Sequence, residues 1–248
     1  KRIGIIIDTG LVELQNDSKI YWNKAIIGRL TPGKDYLNPN FELIVDDILE
    51  QNQKIRLTKF LEKWLKNKIE TTLKSLIDLK DLKEKNSSIK ALAYQLYENN
   101  GVLKRDQVIE YLKNLAQNER KILRELGVKF GRYHVFLHRL IKPEAVSLRT
   151  LLWKNYNQKY FDLQPPTFGL NFIDNKNQKN KNFMLLCGFE KFESFFVRID
   201  ILERLFMQII NSKSDKEIKM IPEMLNLLGC NKDNFKKLLL NMGYKVTE

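Results

Sequence analysis

Short apolar runs separated by turn-forming residues occupy positions 11–30 of the chain. Alternation of apolar and polar residues begins at Val12, and turns are indicated by Asn16 and Asn23 ahead of two further runs. A period of two residues between turns is typical of strands. The pattern therefore predicts a small antiparallel meander of two or three strands, closed by a loop at 31–35.

Apolar residues recur every three or four positions over much of the remaining chain, which is the spacing of an amphipathic helix. The clearest stripe includes Leu57, Leu61 and Leu65 and predicts a helix within residues 42–80. With Ser87 or Ser88, Asn118 and Pro143 as helix starts, further helices are predicted over 87–98, 103–115, 118–126, 143–153, 199–210, 221–228 and 234–242.

Several segments lack the helical period. Residues 128–137 are predicted to be extended and bent at Gly131, and residues 183–189 and 194–197 are predicted strands. The polar stretch 171–182 is predicted to be a loop. The sequence shows no internal repeat at a solenoid period.

These elements predict a mainly α fold of the α+β class, with small antiparallel strand elements in a helical domain and a C-terminal helical hairpin. We expect three segments, namely a β-rich 1–40, a basic helical domain 41–165, and an α+β subdomain 166–248 ending in a helix pair. The chain begins at Lys1 within an apolar pattern, so we expect it to continue from an N-terminal part of a longer protein.

The formal net charge of +13 favours nucleic acid or another acidic partner. Residues 104–160 contain 13 lysines and arginines against 5 acidic residues, whereas residues 161–248 are nearly balanced. Any phosphate-binding surface is therefore expected in the middle of the chain. The abundance of Lys, Asn and Ile is also typical of an AT-rich coding sequence, which offers a second explanation for the charge.

Motifs for enzyme chemistry are not recognisable in the sequence. Lys34 follows a glycine, but the phosphate-binding loop of nucleotide motors is absent, and no catalytic residue is predicted. His134 and His138 lack a readable third ligand, so no metal site is predicted. Cys187 and Cys230 form no Cys-x-x-Cys pair and indicate reduced thiols in a cytoplasmic protein. No apolar run reaches the roughly 18 residues of a membrane span, so no membrane partner is expected.

Aromatic and basic residues alternate in the segment 130–139. Such a segment can present rings to bases and charges to phosphates, or it can pack its rings inward while Arg and Lys extend to solvent. The predicted helix pair near the C-terminus has the length of a helix-turn-helix, although helical hairpins of this size also occur in proteins that bind no nucleic acid.

The run 126–137, Leu-Gly-Val-Lys-Phe-Gly-Arg-Tyr-His-Val-Phe-Leu, resembles the C-terminal region of bacterial superfamily 2 helicases related to the mitochondrial degradosome RNA helicase. The other segments similar to these proteins are 14–30, 140–145, Leu148-Arg149, 151–153, 223–230 and 240–244. The resemblance implies that the parent protein is an ATP-dependent helicase. ATP and magnesium would then belong to motor domains ahead of Lys1, and no cofactor is expected within this chain.

We expect an accessory helicase region that binds nucleic acid, RNA in preference to DNA, through a basic central surface. Tyr133 or His134 would stack on a base. The residues expected to contact phosphate are Lys129, Arg132, Arg139, Lys142 and Arg149. The alternative is a protein-interaction module that docks the helicase to a nuclease or ribosomal component, for which the candidate acidic group is Glu42, Asp46, Asp47 and Glu50. A self-contained enzyme has no motif in its support.

Overall fold

The structure, a computed structural model, describes residues 11–44, 49–82, 87–174, 180–211, 213–214, 217–244 and 246–247. The chain is a mainly helical α+β protein with small sheets. It divides into two compact units, of which unit 1 comprises 1–74 and 147–164 and unit 2 comprises 75–146 and 165–248. These boundaries differ from the three segments expected from the sequence, because the chain leaves unit 1 and returns to it.

Unit 1 contains the predicted meander, which the structure extends by one strand. Its antiparallel sheet has the order β1-β2-β3-β4. The strands are β1 Val12–Leu14, β2 Lys19–Trp22, β3 Ala25–Thr31 and β4 Asn40–Leu43. The helix predicted within 42–80 is two helices, α1 Gln51–Thr72 in unit 1 and α2 Lys74–Lys80, which belongs to unit 2 except for Lys74. The buried face of α1 is the predicted stripe of Leu57, Leu61 and Leu65, continued by Ile69.

Unit 2 holds most of the remaining elements. Its helices are α3 Ser87–Glu98, α4 Ile109–Lys113, α5 Gln117–Glu125, α7 Lys181–Leu186, α8 Ile199–Asn211, α9 Pro222–Leu228 and α10 Lys232–Asn241, and α6 Pro143–Tyr156 lies across the unit boundary. Its strands are β5 Val102–Lys104, β6 Val128–Phe130, β7 His134–Leu137, β8 Phe172–Asp174, β9 Phe189–Lys191, β10 Phe195–Arg198, β11 Lys213–Ser214, β12 Glu217–Lys219 and β13 Val246–Thr247.

Residues 87–137 have the topology of a winged helix-turn-helix. The order along the chain is α3, β5, α4, α5 and then the β6–β7 hairpin, and the sheet order is β5-β7-β6. The turn between α4 and α5 has three residues and places Leu115 in the core. Two helices joined by so short a turn and followed by a strand hairpin match the order of elements in a helix-turn-helix. In this chain the second helix is α5.

Part of this arrangement occurs a second time. The sheet β8-β10-β9 repeats the order of β5-β7-β6, and α7 precedes its hairpin as α5 precedes the first one. Gly127 and Gly188 occupy the same position, both with positive φ, immediately before β6 and β9. The amide after each second strand donates to the carbonyl of that glycine, from His138 at 3.3 Å and from Ile199 at 2.9 Å. Unit 2 therefore contains two copies of a helix–hairpin module.

The sequence did not predict this repeat, because only the glycine is identical when 127–137 is aligned with 188–198. The second copy also corrects a prediction, since residues 181–186 form α7 and not a strand. The Asn180 side chain caps α7 by accepting a hydrogen bond from the Phe183 amide at 3.0 Å. Similarly, the helix predicted over 103–115 is β5, a 3-10 turn at 105–108 and the short α4.

The two copies share an apolar contact and continue into a larger core. Val102 and Phe136 of the first copy are buried together with Ile199 of the second. A second cluster joins β10 and α8 to the two C-terminal helices. Its buried members are Phe195, Val197, Ile201, Leu202, Leu205, Ile209, Ile218, Met224, Leu228, Phe235, Leu238 and Leu239. This core fixes α8 beside the tip of the β6–β7 hairpin.

Candidate functional site

The tip of the β6–β7 hairpin is bound by one carboxylate from α8. Glu203 accepts hydrogen bonds from the backbone amides of Arg132, Tyr133 at 2.9 Å and His134 at 2.8 Å. A carboxylate that accepts several backbone N–H groups makes strong, charge-assisted hydrogen bonds. A methyl group at Gly131 would overlap this carboxylate, which explains the glycine at the tip without invoking an unusual φ.

His134 forms the buried floor beneath this tip. Its side chain is almost fully buried, with Nε2 3.1 Å from Glu190 Oε2 and Nδ1 3.4 Å from Glu203 Oε1. Lys104 Nζ lies 3.0 Å from the second oxygen of Glu190. Burial alone lowers the pKa of His134, but the hydrogen bond to Glu190 and the nearby charge of Glu203 outweigh it and raise the pKa above its ordinary value. The same network lowers the pKa of Glu190 against the effect of burial.

A cavity of about 780 Å³ opens above this floor. The turns of both hairpins line it, contributing Arg132 and Tyr133 from the first copy and Phe192 and Glu193 from the second. The other lining residues are Lys104, Arg105, Asp106, Ile109, His134, Lys181, Glu190, Lys191, Leu202, Asn241 and Met242. A cavity of this size between two modules, with polar groups on apolar walls, is typical of a ligand site.

A separate group of basic residues surrounds His138 at the opposite end of the hairpin. His138 is partly buried, and its pKa is lowered by burial and by the charges of Lys142, Lys129 and Arg139, against a smaller opposing effect of Asp200. The three cations are exposed and have no ion-pair partner among the described residues. They form a concentrated positive surface, which we call the basic patch and define as Lys129, Arg139 and Lys142.

Helix α5 adds exposed cations to the same module. Lys121 and Arg124 are exposed on α5, where Lys121 Nζ lies 4.0 Å from Glu125 and the Arg124 guanidinium lies 5.6 Å from the ring centre of Phe130 in β6. Arg120 has a different role, because its guanidinium donates to the carbonyls of Leu112 and Leu115 and so holds the turn between α4 and α5. The turn is therefore rigid, and the exposed cations of α5 are positioned by it.

The structure separates the seven residues predicted from the sequence into three groups. Lys129, Arg139 and Lys142 lie together in the basic patch, whereas Arg132, Tyr133 and His134 lie at the hairpin tip. Arg149 is fully buried in α6 of unit 1, so its guanidinium does not reach a phosphate at the surface.

The structure places Tyr133 and His134, the two predicted stacking groups, in different surroundings. Tyr133 is half-buried, packs edge-on against Phe206 with ring centres 5.5 Å apart, and pairs its hydroxyl with that of Tyr244 at 2.9 Å. Burial and this hydrogen bond raise its pKa. His134 is enclosed by two carboxylates. His134 therefore has no face open to a base, whereas the half-buried Tyr133 also lines the cavity described above.

The acidic group of the alternative hypothesis is only partly described. Asp46 and Asp47 lie outside the described residues. Glu42 accepts a hydrogen bond from Arg29 Nε at 2.8 Å across the β3–β4 pair, and Glu50 stands at the N-cap of α1. The Glu42 carboxylate is therefore engaged in the sheet of unit 1, and the Glu50 backbone amide donates to Gln53 Oε1 at 3.1 Å.

Other candidate chemistry is limited in the part of the chain that the structure describes. No group of three metal-ligating side chains is found among the described residues. Both cysteines are free, Cys187 is buried, and burial raises the pKa of Cys230 to about 11. The predicted C-terminal helix pair exists as α9 and α10, separated by Gly229–Asn231, and Asn241 at the end of α10 lines the cavity.

Glu190, Glu203, Lys181 and Lys191 are residues of these sites that sequence reasoning missed. Glu190 lies in a stretch that also contains Lys191 and Glu193, and nothing in this stretch distinguishes Glu190 as the buried acid. No sequence pattern identified Glu203, because the residues whose backbone amides it binds lie about seventy positions away. Pairings at such separations follow from the tertiary fold and not from local spacing.

Among the described helices, none combines the length and apolar character needed to cross a membrane. A comparison with protein-family models found no match, and comparisons with curated proteins and with solved structures found none either. The function is therefore inferred from the geometry of the chain, together with the resemblance of its sequence.

Proposed function

We propose that this chain binds nucleic acid through the basic patch and the exposed face of α5. The observation that carries the proposal is the placement of Lys129, Arg139 and Lys142 around His138, beside the second helix of a helix-turn-helix. Lysine and arginine contacts to phosphates supply most of the affinity of such surfaces. On the resemblance of the sequence, the chain acts as an accessory region of a cytoplasmic, ATP-dependent RNA helicase.

RNA is the expected ligand, and α5 would then contact the backbone. The major groove of A-form RNA is too deep and narrow for a helix to read. The exposed cations Lys121 and Arg124 suit contacts to phosphates or to a single strand leaving the motor. B-form DNA, whose major groove admits α5, is the alternative nucleic acid, and it would give binding that depends on base sequence.

The test is fluorescence anisotropy of a labelled single-stranded RNA across a salt series, with K129Q/R139Q/K142Q beside the wild type. Each phosphate contact to a single strand contributes about 0.7 to the slope of log affinity against log salt, so the triple variant should lose about 2 from this slope. Labelled RNA and DNA duplexes of varied sequence in parallel distinguish backbone binding from groove reading.

The control is K59Q/K63Q/K66Q, which removes the same charge from exposed positions of α1. It should keep nearly the wild-type slope. If the α1 variant weakens binding and the patch variant does not, the basic patch is not the interface. If the wild type does not bind at low salt, the chain has no nucleic-acid function of this kind, and the protein-docking alternative becomes the hypothesis to pursue.

A second measurement, the pKa of His138, reports on binding at the basic patch directly. The chain has two histidines, and the nearby cations lower the pKa of His138. Phosphates bound at the patch would offset this positive field, so the pKa of His138, followed by NMR of its ring protons, should rise when RNA is added. An unchanged pKa at saturating RNA would place the bound strand elsewhere.

A further inference from the structure

The cavity between the two hairpin turns is lined by cationic side chains that form no ion pair with the described residues. Arg132, Lys181 and Lys191 line it and have no ion-pair partner among the residues that the structure describes. Arg105 is held by the carbonyl of Gly131 at 2.8 Å, and Lys104 by Glu190. The Arg132 guanidinium also lies 5.7 Å from the ring centre of Phe206, which holds it at the tip.

The acidic residues of the lining are largely engaged. Glu190 is neutralised by Lys104 and His134, and the Asp106 carboxylate accepts a hydrogen bond from the Gln107 amide at 2.9 Å. Glu193 remains as an exposed acid at the rim. The unengaged charge of the cavity is therefore positive, which favours an anionic ligand with a compact charged group.

The remaining walls suit a flat apolar group. Tyr133 and Phe192 contribute aromatic surface, and Ile109, Leu202 and Met242 contribute aliphatic surface. A cavity of about 780 Å³ lies within the range of small-molecule sites. Asn241 adds a side-chain amide, which carries both a donor and an acceptor for the edge of a base.

We propose that this cavity binds a single nucleotide, with its phosphate against Arg132, Lys181 and Lys191 and its base against the apolar wall. The nucleotide is either free in the cell or one unit of an RNA strand. In the second case the site deepens the proposed function by holding a nucleotide at a point separate from the basic patch.

AMP is the probe, and its binding to the full chain without RNA is followed by NMR. The variant K181Q/K191Q removes two exposed charges and leaves the His134–Glu190 floor intact, so it should fold normally by circular dichroism. Losing two charge-assisted hydrogen bonds should weaken AMP binding about tenfold or more. Adenosine, which lacks the phosphate, should bind the wild type and the variant equally weakly.

The matched control is K59Q/K63Q, with the same charge change on α1, and it should bind AMP as the wild type does. Equal AMP affinity in K181Q/K191Q and the wild type, or no AMP binding to the wild type, overturns the proposal. Displacement of AMP by a short RNA identifies the strand as the source of the nucleotide, and failure to displace it identifies free nucleotide. Because AMP is measured alone, failure here leaves the RNA experiment on the basic patch unaffected.

Discussion

The pKa of His134 is raised in the interior because Glu190 and Glu203, from different elements, enclose its ring. Its neighbour in sequence, Arg132, remains exposed at the same hairpin tip. The sequence predicted a nucleic-acid contact for both residues, with Arg132 at a phosphate and His134 as a possible stacking group. Their burial depends on where α8 and β9 pack, and nothing in the spacing of 130–139 specifies that packing. By contrast, Lys129, Arg139 and Lys142 were predicted together and do lie together.

The variant H134Q should lower the free energy of unfolding by about 3 kcal/mol, because removing one partner of a buried ion pair leaves the other charge uncompensated. The pKa of His134 is raised above 6.5 in the folded protein, so its ion pairs stabilise fully below about pH 6.5 and are lost as the pH rises through the raised pKa. Denaturant unfolding at several pH values should therefore show the gap between wild type and variant shrinking in alkaline solution.

In acid, the pKa of Glu190 is lowered from 4.5, so the stabilisation that Glu190 contributes to the fold persists until the pH falls through that lowered value.

The matched control is H138Q, for which the dependence of stability on pH should have the opposite sign. The pKa of His138 is lowered, so protonating His138 destabilises the fold, and H138Q should be relatively more stable in acid. A gap for H134Q that widens above pH 7 would contradict the assigned ion pairs.

At the scale of elements, the long periodic segments and the short strands between clear turn residues were predictable, whereas other short strands were not. The buried stripe of α1 follows from the sequence, as does the hairpin bend at Gly131. Strands of three residues such as β5 and β9 are too short to establish a period of two. The apolar run at 183–189 is compatible with strand or helix. The hydrogen bond by which the Asn180 side chain caps the first turn favours the helix α7. The repeat of the hairpin module is recognisable only from strand pairing.

The glycines before the two hairpins give an element-scale prediction. An alanine at either position is strained by about 1–2 kcal/mol, because Gly127 and Gly188 have φ values of +97° and +85°. At Gly188 the new Cβ would also lie 3.1 Å from Ile141 Cγ2, whereas at Gly127 the nearest atom is Ser75 Cβ at 3.7 Å. G188A should therefore lower the urea midpoint more than G127A. The reverse order would contradict the contact with Ile141.

For the molecule as a whole, the sequence predicted the fold class but not the division into units. Unit 1 is assembled from residues 1–74 and 147–164, and a composition scan along the chain does not detect a unit made of two distant segments. The net charge of +13 was visible at once. Its distribution became clear only when α5 and the basic patch were located on one module.

This charge predicts two opposite effects of salt on thermal stability. Without a ligand, added salt screens the repulsion among cations and should raise the Tm by a few degrees. With saturating single-stranded RNA the Tm should be higher at low salt, because a ligand that binds the folded state stabilises it, and this increment should vanish as salt increases. Differential scanning fluorimetry with and without RNA checks both. An RNA increment that is insensitive to salt would contradict phosphate binding.

The two hairpin modules belong to one chain, and residues 139–171 connect them. This connection acts as a tether that keeps each module at a high effective concentration relative to the other. The contacts between the copies, such as the Val102–Phe136–Ile199 cluster and the His134–Glu190 pair, therefore need not reach the area that holds separate proteins together, because the partners cannot diffuse apart. The duplicated module is thus free to acquire unlike surfaces, with Lys129 facing solvent in one copy and Glu190 buried at the equivalent position of the other.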